Sequence, residues 1–145
     1  MRALIQRVRW AAVEADGHEV GRIGPGMLVF LGVERGDDEA RADALAARLL
    51  AYRVFADAGG RMNLDVRAAG GGVLLVSQFT LAADTTRGLR PGFSTAAEPQ
   101  AANALYERVL GALRARHAPV ACGIFGAAMQ VSLCNDGPVT FLLQN

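Results

Sequence analysis

Short apolar runs separated by glycine- and proline-rich turns constrain the fold of this chain more than any other feature. In the first third, strand-forming residues 3–14 and 19–23 flank an Asp16-Gly17 pair, and a Gly24-Pro25-Gly26 turn precedes the apolar run 27–33. An Asp-Gly pair suits the positive φ angles of a tight hairpin. This spacing predicts consecutive antiparallel strands.

Two helices are predicted between the strands. Asp37, Asp38 and Glu39 supply a cap and negative charge for the first turn of a helix. The apolar residues that follow recur at helical spacing: Ala42, Leu45, Ala46, Leu49 and Leu50. A second helix begins near Pro99, and its apolar face contains Leu105, Val109, Ala112 and Leu113.

Further strands are predicted at residues 73–76, 122–125, 129–134 and 139–143, and residues 53–56 and 62–66 are short segments on either side of a turn at 57–60. We therefore expect an α+β fold in which a curved, barrel-like, mostly antiparallel β-sheet carries two main α-helices. The length of 145 residues suits a single domain spanning residues 1–145. An apolar terminal strand at a sheet edge would pair with a second copy, so a homodimer is expected.

Composition excludes several classes of protein. The net charge is only +1, and the fifteen arginines are interleaved with acidic residues, so no strong non-specific nucleic-acid field is expected. No apolar run approaches the roughly 20 residues that span a bilayer. A signal peptide needs an uninterrupted apolar segment near its start, and the charges at Arg7 and Arg9 interrupt this one. We expect a cytoplasmic protein with no membrane partner.

Metal and triad chemistry are not indicated. Cys122 and Cys134 fit no metal-ligand spacing, and free thiols are expected in the cytoplasm. The two histidines, His18 and His117, lie far apart in the sequence, and neither is near a persuasive nucleophile. We expect no metal, no cofactor and no histidine-based triad.

The first candidate motif is Ser77, Gln78, Phe79 and Thr80, which follows a buried strand without a break. Successive backbone N–H groups at such a bend can point at one oxygen and stabilise an oxyanion. The side chains add two hydroxyls, an amide and an aromatic face. The alternative is a strand end whose polar residues only cap a turn, and these residues alone leave both interpretations open.

The second motif is the run Asn-Asp-Gly-Pro at residues 135–138. Gly137 permits positive φ, and Pro138 removes a donor and permits a cis peptide bond. The run therefore predicts a sharp chain reversal. Most turns of this composition do nothing further.

Taken together, the two motifs resemble the D-aminoacyl-tRNA deacylase family. The likeness spans nearly the whole chain and includes residues 3–8, 24–26, 31–33, 62–64, 90–91 and 125–126. It implies a homodimer in which a cis Gly137–Pro138 bond reaches into the partner's site. The chain departs from the family pattern at Ala82, Gly92 and Ala128, all outside the two motifs.

The resemblance implies hydrolysis of the ester between a D-amino acid and the 3′-terminal adenosine of tRNA. We hypothesise that N–H groups near Gln78 and Phe79 bind the oxyanion and that the ribose 2′-hydroxyl helps to activate water. Thr80 as a nucleophile or water-positioning group is the competing possibility. Carbonyl groups of Gly137 and Pro138 would hold the α-ammonium so that an L side chain meets backbone, and glycine would pass.

Further substrate contacts follow from the same resemblance. Phe79 and Phe125 are candidate stacking platforms for the tRNA end, and the alternative that both rings only pack in the core stays open. Met129 is a further substrate-binding residue, and Arg7 would brace the Gly-Pro turn. Arg87 and Arg90 could reach phosphates. Two other functions stay open: a non-catalytic, dimeric RNA-binding module, and a conventional serine or threonine esterase for small molecules.

Overall fold

The structure, a computed structural model, describes residues 1–86 and 88–144. Along these residues eight strands, two α-helices and one 3-10 helix follow in chain order: β1 (Arg2–Ala15), β2 (His18–Ile23), β3 (Gly26–Gly32), α1 (Glu39–Ala51), β4 (Phe55–Ala56), β5 (Met62–Leu64), β6 (Gly72–Ser77), the 3-10 helix (Phe79–Ala82), α2 (Pro99–Arg114), β7 (Val120–Cys122) and β8 (Met129–Gln144).

The long strand β1 organises the main sheet. On one edge its first half pairs with β3 and its second half with β2, while β8 pairs along its other edge from Ala15 to Arg2, all antiparallel. Parallel pairing of β3 with β6 and of β6 with β7 extends the sheet. The outer strands β2 and β7 approach each other closely and nearly close the sheet. A Cβ added to Gly21 of β2 would lie only 2.7 Å from the carbonyl oxygen of Cys122 in β7. The predicted α+β fold with a curved, barrel-like sheet and two main helices is confirmed.

The core has two parts because β3 and β6 are buried on both faces. Met27 and Val29 of β3 pack under the helices, whereas Leu28 between them packs inside the barrel. In β6, Leu75 and Leu74 divide in the same way. This is the period-two alternation of a strand, with apolar residues on both sides.

Both helices begin where the sequence predicts. Asp38 is the N-cap of α1, and its side chain accepts a hydrogen bond of 2.8 Å from the N–H of Arg41. The five apolar residues predicted for its inner face are all buried. Pro99 opens α2. Asp37 has another role, because its carboxylate lies 2.7 Å from the terminal ammonium of Met1.

The prediction of a chain reversal at residues 135–138 is wrong. The chain stays in β8 and remains antiparallel to β1 on both sides of the motif: Val8 pairs with Asn135, and Gln6 pairs with Thr140. Residues 136–139 therefore stand opposite the single residue Arg7 and form a wide bulge. The turn residues do interrupt the ladder, but the flanking segments return to the same strand instead of pairing with each other.

One shorter prediction needs correction. The strand predicted at 122–125 ends at Cys122, and a turn follows in which the N–H of Ala127 donates to the carbonyl of Ile124. The two short segments beside the turn at 57–60 contribute β4 and β5, which pair with each other in a separate two-stranded sheet. Cys122 and Cys134 are both free. No helix among the described residues is long and apolar enough to cross a membrane.

We predict that Gly26→Ala unfolds far more easily than Gly24→Ala. A Cβ on Gly26 would lie 2.1 Å from the carbonyl oxygen of Gly72 in the paired strand β6, whereas one on Gly24 meets nothing within 4 Å. Because the obstacle is backbone, we expect Gly26→Ala to lower the free energy of unfolding by about 3 kcal/mol, the upper end of the usual cost of overpacking. Urea denaturation measures both variants, and equal stabilities would contradict the tight β3–β6 contact.

Candidate active site

A cavity of about 430 Å³ opens where β6 ends. Its walls come from the ends of β3 and β6, the start of α2, the turn after β7 and the first residues of β8. The volume lies within the usual range for small-molecule sites. Five of the residues predicted from the sequence line it: Ser77, Gln78, Phe79, Phe125 and Met129.

The cavity wall is chemically simple. Among the described residues, the lining side chains include no carboxylate, imidazole, thiol or guanidinium group. The one titratable side chain is Tyr106, whose hydroxyl donates a hydrogen bond of 3.1 Å to the carbonyl of Leu75. Burial raises the pKa of Tyr106, so the phenol stays protonated. This protomer thus presents hydroxyl, amide and backbone groups to the cavity, but no general base.

The backbone at the cavity edge offers two N–H groups. The N–H of Gln78 donates to the carbonyl of Leu31 at 2.8 Å, so it is not free to bind an oxyanion in this structure. Phe79 and Thr80 open the 3-10 helix, and the first N–H groups of a helix have no partner inside it. No side chain caps this helix. Phe79 lines the cavity and Thr80 is the next residue along the chain, so their N–H groups are the candidate donors.

The Thr80 side chain is exposed and does not line the cavity. Its Oγ1 accepts a hydrogen bond of 2.6 Å from the side-chain amide of Gln78. An amide N–H cannot remove the hydroxyl proton, so this contact orients Thr80 without activating it as a nucleophile.

Two aromatic rings mark the mouth of the cavity. Phe79 is 60% exposed, and its ring centroid lies 5.1 Å from that of Phe93. Phe93 is not among the predicted site residues, because residues 82–94 lack the periodicity that would assign its side chain to a buried or an exposed face. Reciprocal hydrogen bonds of 2.8 and 2.9 Å between Asp84 and Gly92 close the loop just before it. The one sequence signal for Phe93 was that it is an aromatic residue in a long loop, where binding residues are often found.

Gly137 and Pro138 stand apart from this cavity. Both are exposed on the bulge, and neither lines the cavity of its own protomer. The bond between them is cis, and Gly137 has φ +133°. A Cβ at Gly137 would lie 2.7 Å from Cγ2 of Val139, so a side chain there would clash as well as strain the backbone.

Arg7 ties the bulge to the rest of the chain. Its Nε donates to the carbonyl of Asp136 at 3.1 Å, and its Nη1 donates to the carbonyl of Val54 at 2.7 Å. The guanidinium thus links the bulge to the segment before β4. Arg90 is exposed and lines no part of the cavity, and Arg87 lies outside the described residues.

In the part of the chain that the structure describes, no three His, Cys, Asp or Glu side chains group closely enough to hold a metal ion.

Comparison with known proteins extends over the whole chain. A family model described as D-Tyr-tRNA(Tyr) deacylase matches residues 4–144. The D-aminoacyl-tRNA deacylase of Stutzerimonas stutzeri (strain A1501) is 61% identical over 145 residues, which is 100% of both chains. That of Cellvibrio japonicus (strain Ueda107) is 60% identical over 144 residues, or 99% of each. A solved structure titled "c-Myc DNA Unwinding Element Binding Protein" superposes with a TM-score of 0.95 at 36% identity, covering 100% of this chain and 99% of that one.

Proposed function

The chain belongs to the D-Tyr-tRNA(Tyr) deacylase family, and we propose that it hydrolyses the ester joining a D-amino acid to the 3′-terminal adenosine of tRNA. The products are free tRNA and the amino acid, so the enzyme would proofread chirality in translation. One observation carries the proposal: Ser77, Gln78 and Phe79 of the first motif meet Phe125 and Met129 around a single cavity.

Oxyanion stabilisation by backbone is the proposed catalytic element. The N–H groups of Phe79 and Thr80 would receive the oxygen of the ester carbonyl as it gains negative charge. Loss of one such donor typically raises the barrier by about 2.7–4 kcal/mol. Ser77 and Gln78 would contribute the polar wall beside the reacting carbon.

Water activation is assigned to the substrate. The described lining of the cavity contains no side chain fit to take a proton from water. The ribose 2′-hydroxyl neighbours the ester and would pass a proton from the attacking water towards the departing 3′-oxygen. Water then supplies the new C–O bond of the acid, and the 3′-hydroxyl of the tRNA is restored.

Selection of the D enantiomer requires a second copy of the chain. Gly137 and Pro138 are exposed and lie outside their own cavity, so we infer that they complete the partner's site in a homodimer. Along the described residues, β8 pairs with β1 on one edge and with no strand on the other. Exposed Phe141 and Leu142 of β8 provide apolar surface for this association.

The chirality filter is a wall of main chain. Carbonyl groups of Gly137 and Pro138 from the partner subunit would hold the α-ammonium while the oxyanion donors hold the ester. With two substituents of the α-carbon fixed, a D side chain points to open space and an L side chain meets backbone. Glycine has no side chain to clash, so glycyl-tRNA should also be cleaved.

The two alternative functions differ from the proposed one in their substrates. An RNA-binding module would leave the ester intact, and a small-molecule esterase would not need the tRNA. The net charge of +1 favours local contacts with the tRNA end over broad phosphate binding. Exposed Phe79 beside Phe93 offers a surface on which a splayed base can stack.

We predict that D-tyrosyl-tRNA and glycyl-tRNA are hydrolysed and that L-tyrosyl-tRNA is cleaved at least about a hundredfold more slowly. Time courses with labelled amino acids measure all three. An intact ester in every sample would indicate a binding module. Equally fast cleavage of simple D-amino-acid esters without RNA would indicate the esterase. Resistance of glycyl-tRNA alone would contradict the main-chain wall.

We predict that Thr80→Ala keeps kcat within about tenfold of wild type, because the hydroxyl only receives the Gln78 amide. Thr80→Ser, which retains the hydroxyl, is the matched control and should be near wild type. Single-turnover hydrolysis of D-tyrosyl-tRNA is the measurement. A loss of several orders of magnitude in Thr80→Ala alone would establish side-chain catalysis.

We predict that two inactive variants complement each other in mixed dimers. Ala96→Trp fills the cavity, and Gly137→Ala forces the bulge to move. Equal mixing gives half mixed dimers, each with one intact site, so about a quarter of wild-type activity should return. Mixed dimers isolated with two affinity tags that stay inactive would contradict the cross-subunit site.

A further inference from the structure

The 3-10 helix beside the cavity is held at its far end by two side chains. The last carbonyl groups of a helix have no partner inside it. Nη1 of Arg2 donates to the carbonyl of Leu81 at 3.2 Å, and Oγ1 of Thr95 donates to the carbonyl of Ala82. Consecutive carbonyls at the end of the helix are thus bound from different parts of the chain.

Both side chains are anchored on the segment that follows β3. Nε of Arg2 donates to the Glu34 carboxylate at 2.8 Å, and the other carboxylate oxygen of Glu34 lies 3.3 Å from the Met1 ammonium. The carbonyl of Thr95 accepts a hydrogen bond of 2.8 Å from the N–H of Arg35. Arg2 and Thr95 are therefore held by adjacent residues of one segment, Glu34 and Arg35.

The helix also packs closely against the end of β3. A Cβ on Gly32, the last residue of β3, would lie 2.9 Å from Cβ of Leu81 and 3.0 Å from the carbonyl oxygen of Gln78. The helix therefore sits directly on the end of β3. The contact with β3 and the hydrogen bonds from Arg2 and Thr95 together hold the helix in place.

We propose that Arg2 and Thr95 are positioning residues that orient the Phe79 and Thr80 N–H groups through the carbonyls of Leu81 and Ala82. The proposal rests on the function proposed above. Neither residue lines the cavity, so neither is expected to touch the amino acid. Oxyanion donors act only when they meet the oxygen in the transition state, so misorientation lowers kcat more than it raises KM.

The test uses Arg2→Met, Thr95→Val and the double variant. Arg22→Met removes an arginine whose partner is the exposed Glu19 on β2 and serves as the matched control. We expect each single variant to lose about tenfold in kcat with KM for D-tyrosyl-tRNA within twofold. The double variant should lose less than the product, because both side chains hold one helix. Arg2→Lys should recover part of the kcat.

Thr95→Val leaves the ion pairs around Met1 intact, so it tests one of the two side chains even if Arg2→Met folds poorly. Circular dichroism and urea denaturation give the folded fraction of each variant, and each rate is normalised to that fraction. Three results would each overturn the positioning role: folded variants with wild-type kcat, a change confined to KM, or an equal loss of kcat in Arg22→Met. None of them would contradict the deacylase function. Failure of the wild-type enzyme to hydrolyse D-tyrosyl-tRNA would overturn the proposed function itself.

Discussion

Pairing along both edges of β1 is the constraint on which the rest of the structure depends. β8 follows one edge from end to end, and β3 and β2 share the other. This register leaves residues 136–139 unmatched opposite Arg7 and pushes the Gly-Pro bond out of the sheet. It also places Arg2, at the start of the strand, within reach of Leu81. One strand therefore sets the position of the bulge and supports the helix beside the cavity.

The site relies on backbone geometry more than on side-chain chemistry. The described cavity wall holds no acid or base except a tyrosine whose hydroxyl is already bonded. Peptide groups cannot titrate, but they can be held rigidly, and this chain holds them with the end of β3, a guanidinium and a hydroxyl. Under the proposed function, the ribose hydroxyl beside the ester would supply the proton transfer that this wall lacks.

Local signals account for most of the fold. Asp38 and Pro99 mark the starts of the helices, and alternating or continuous apolar runs mark β1, β3 and β6. These signals act over a few residues, so the sequence displays them directly. The bulge in β8 was misread because a Gly-Pro break looks the same whether the flanking segments pair with each other or with a third strand. Phe93 was missed for a related reason, since its role depends on a ring 14 positions away in the chain.

The sequence alone therefore specified the elements, the fold class and, through its two motifs, the resemblance to a deacylase. It could not show that the Gln78 N–H is consumed by Leu31, or that Arg2 and Thr95 hold neighbouring carbonyls. Those facts join residues that lie far apart in the chain, and only the packed sheet brings them within hydrogen-bonding distance. Periodicity reports which face of an element is apolar, whereas the direction of a single N–H group depends on every strand that supports it.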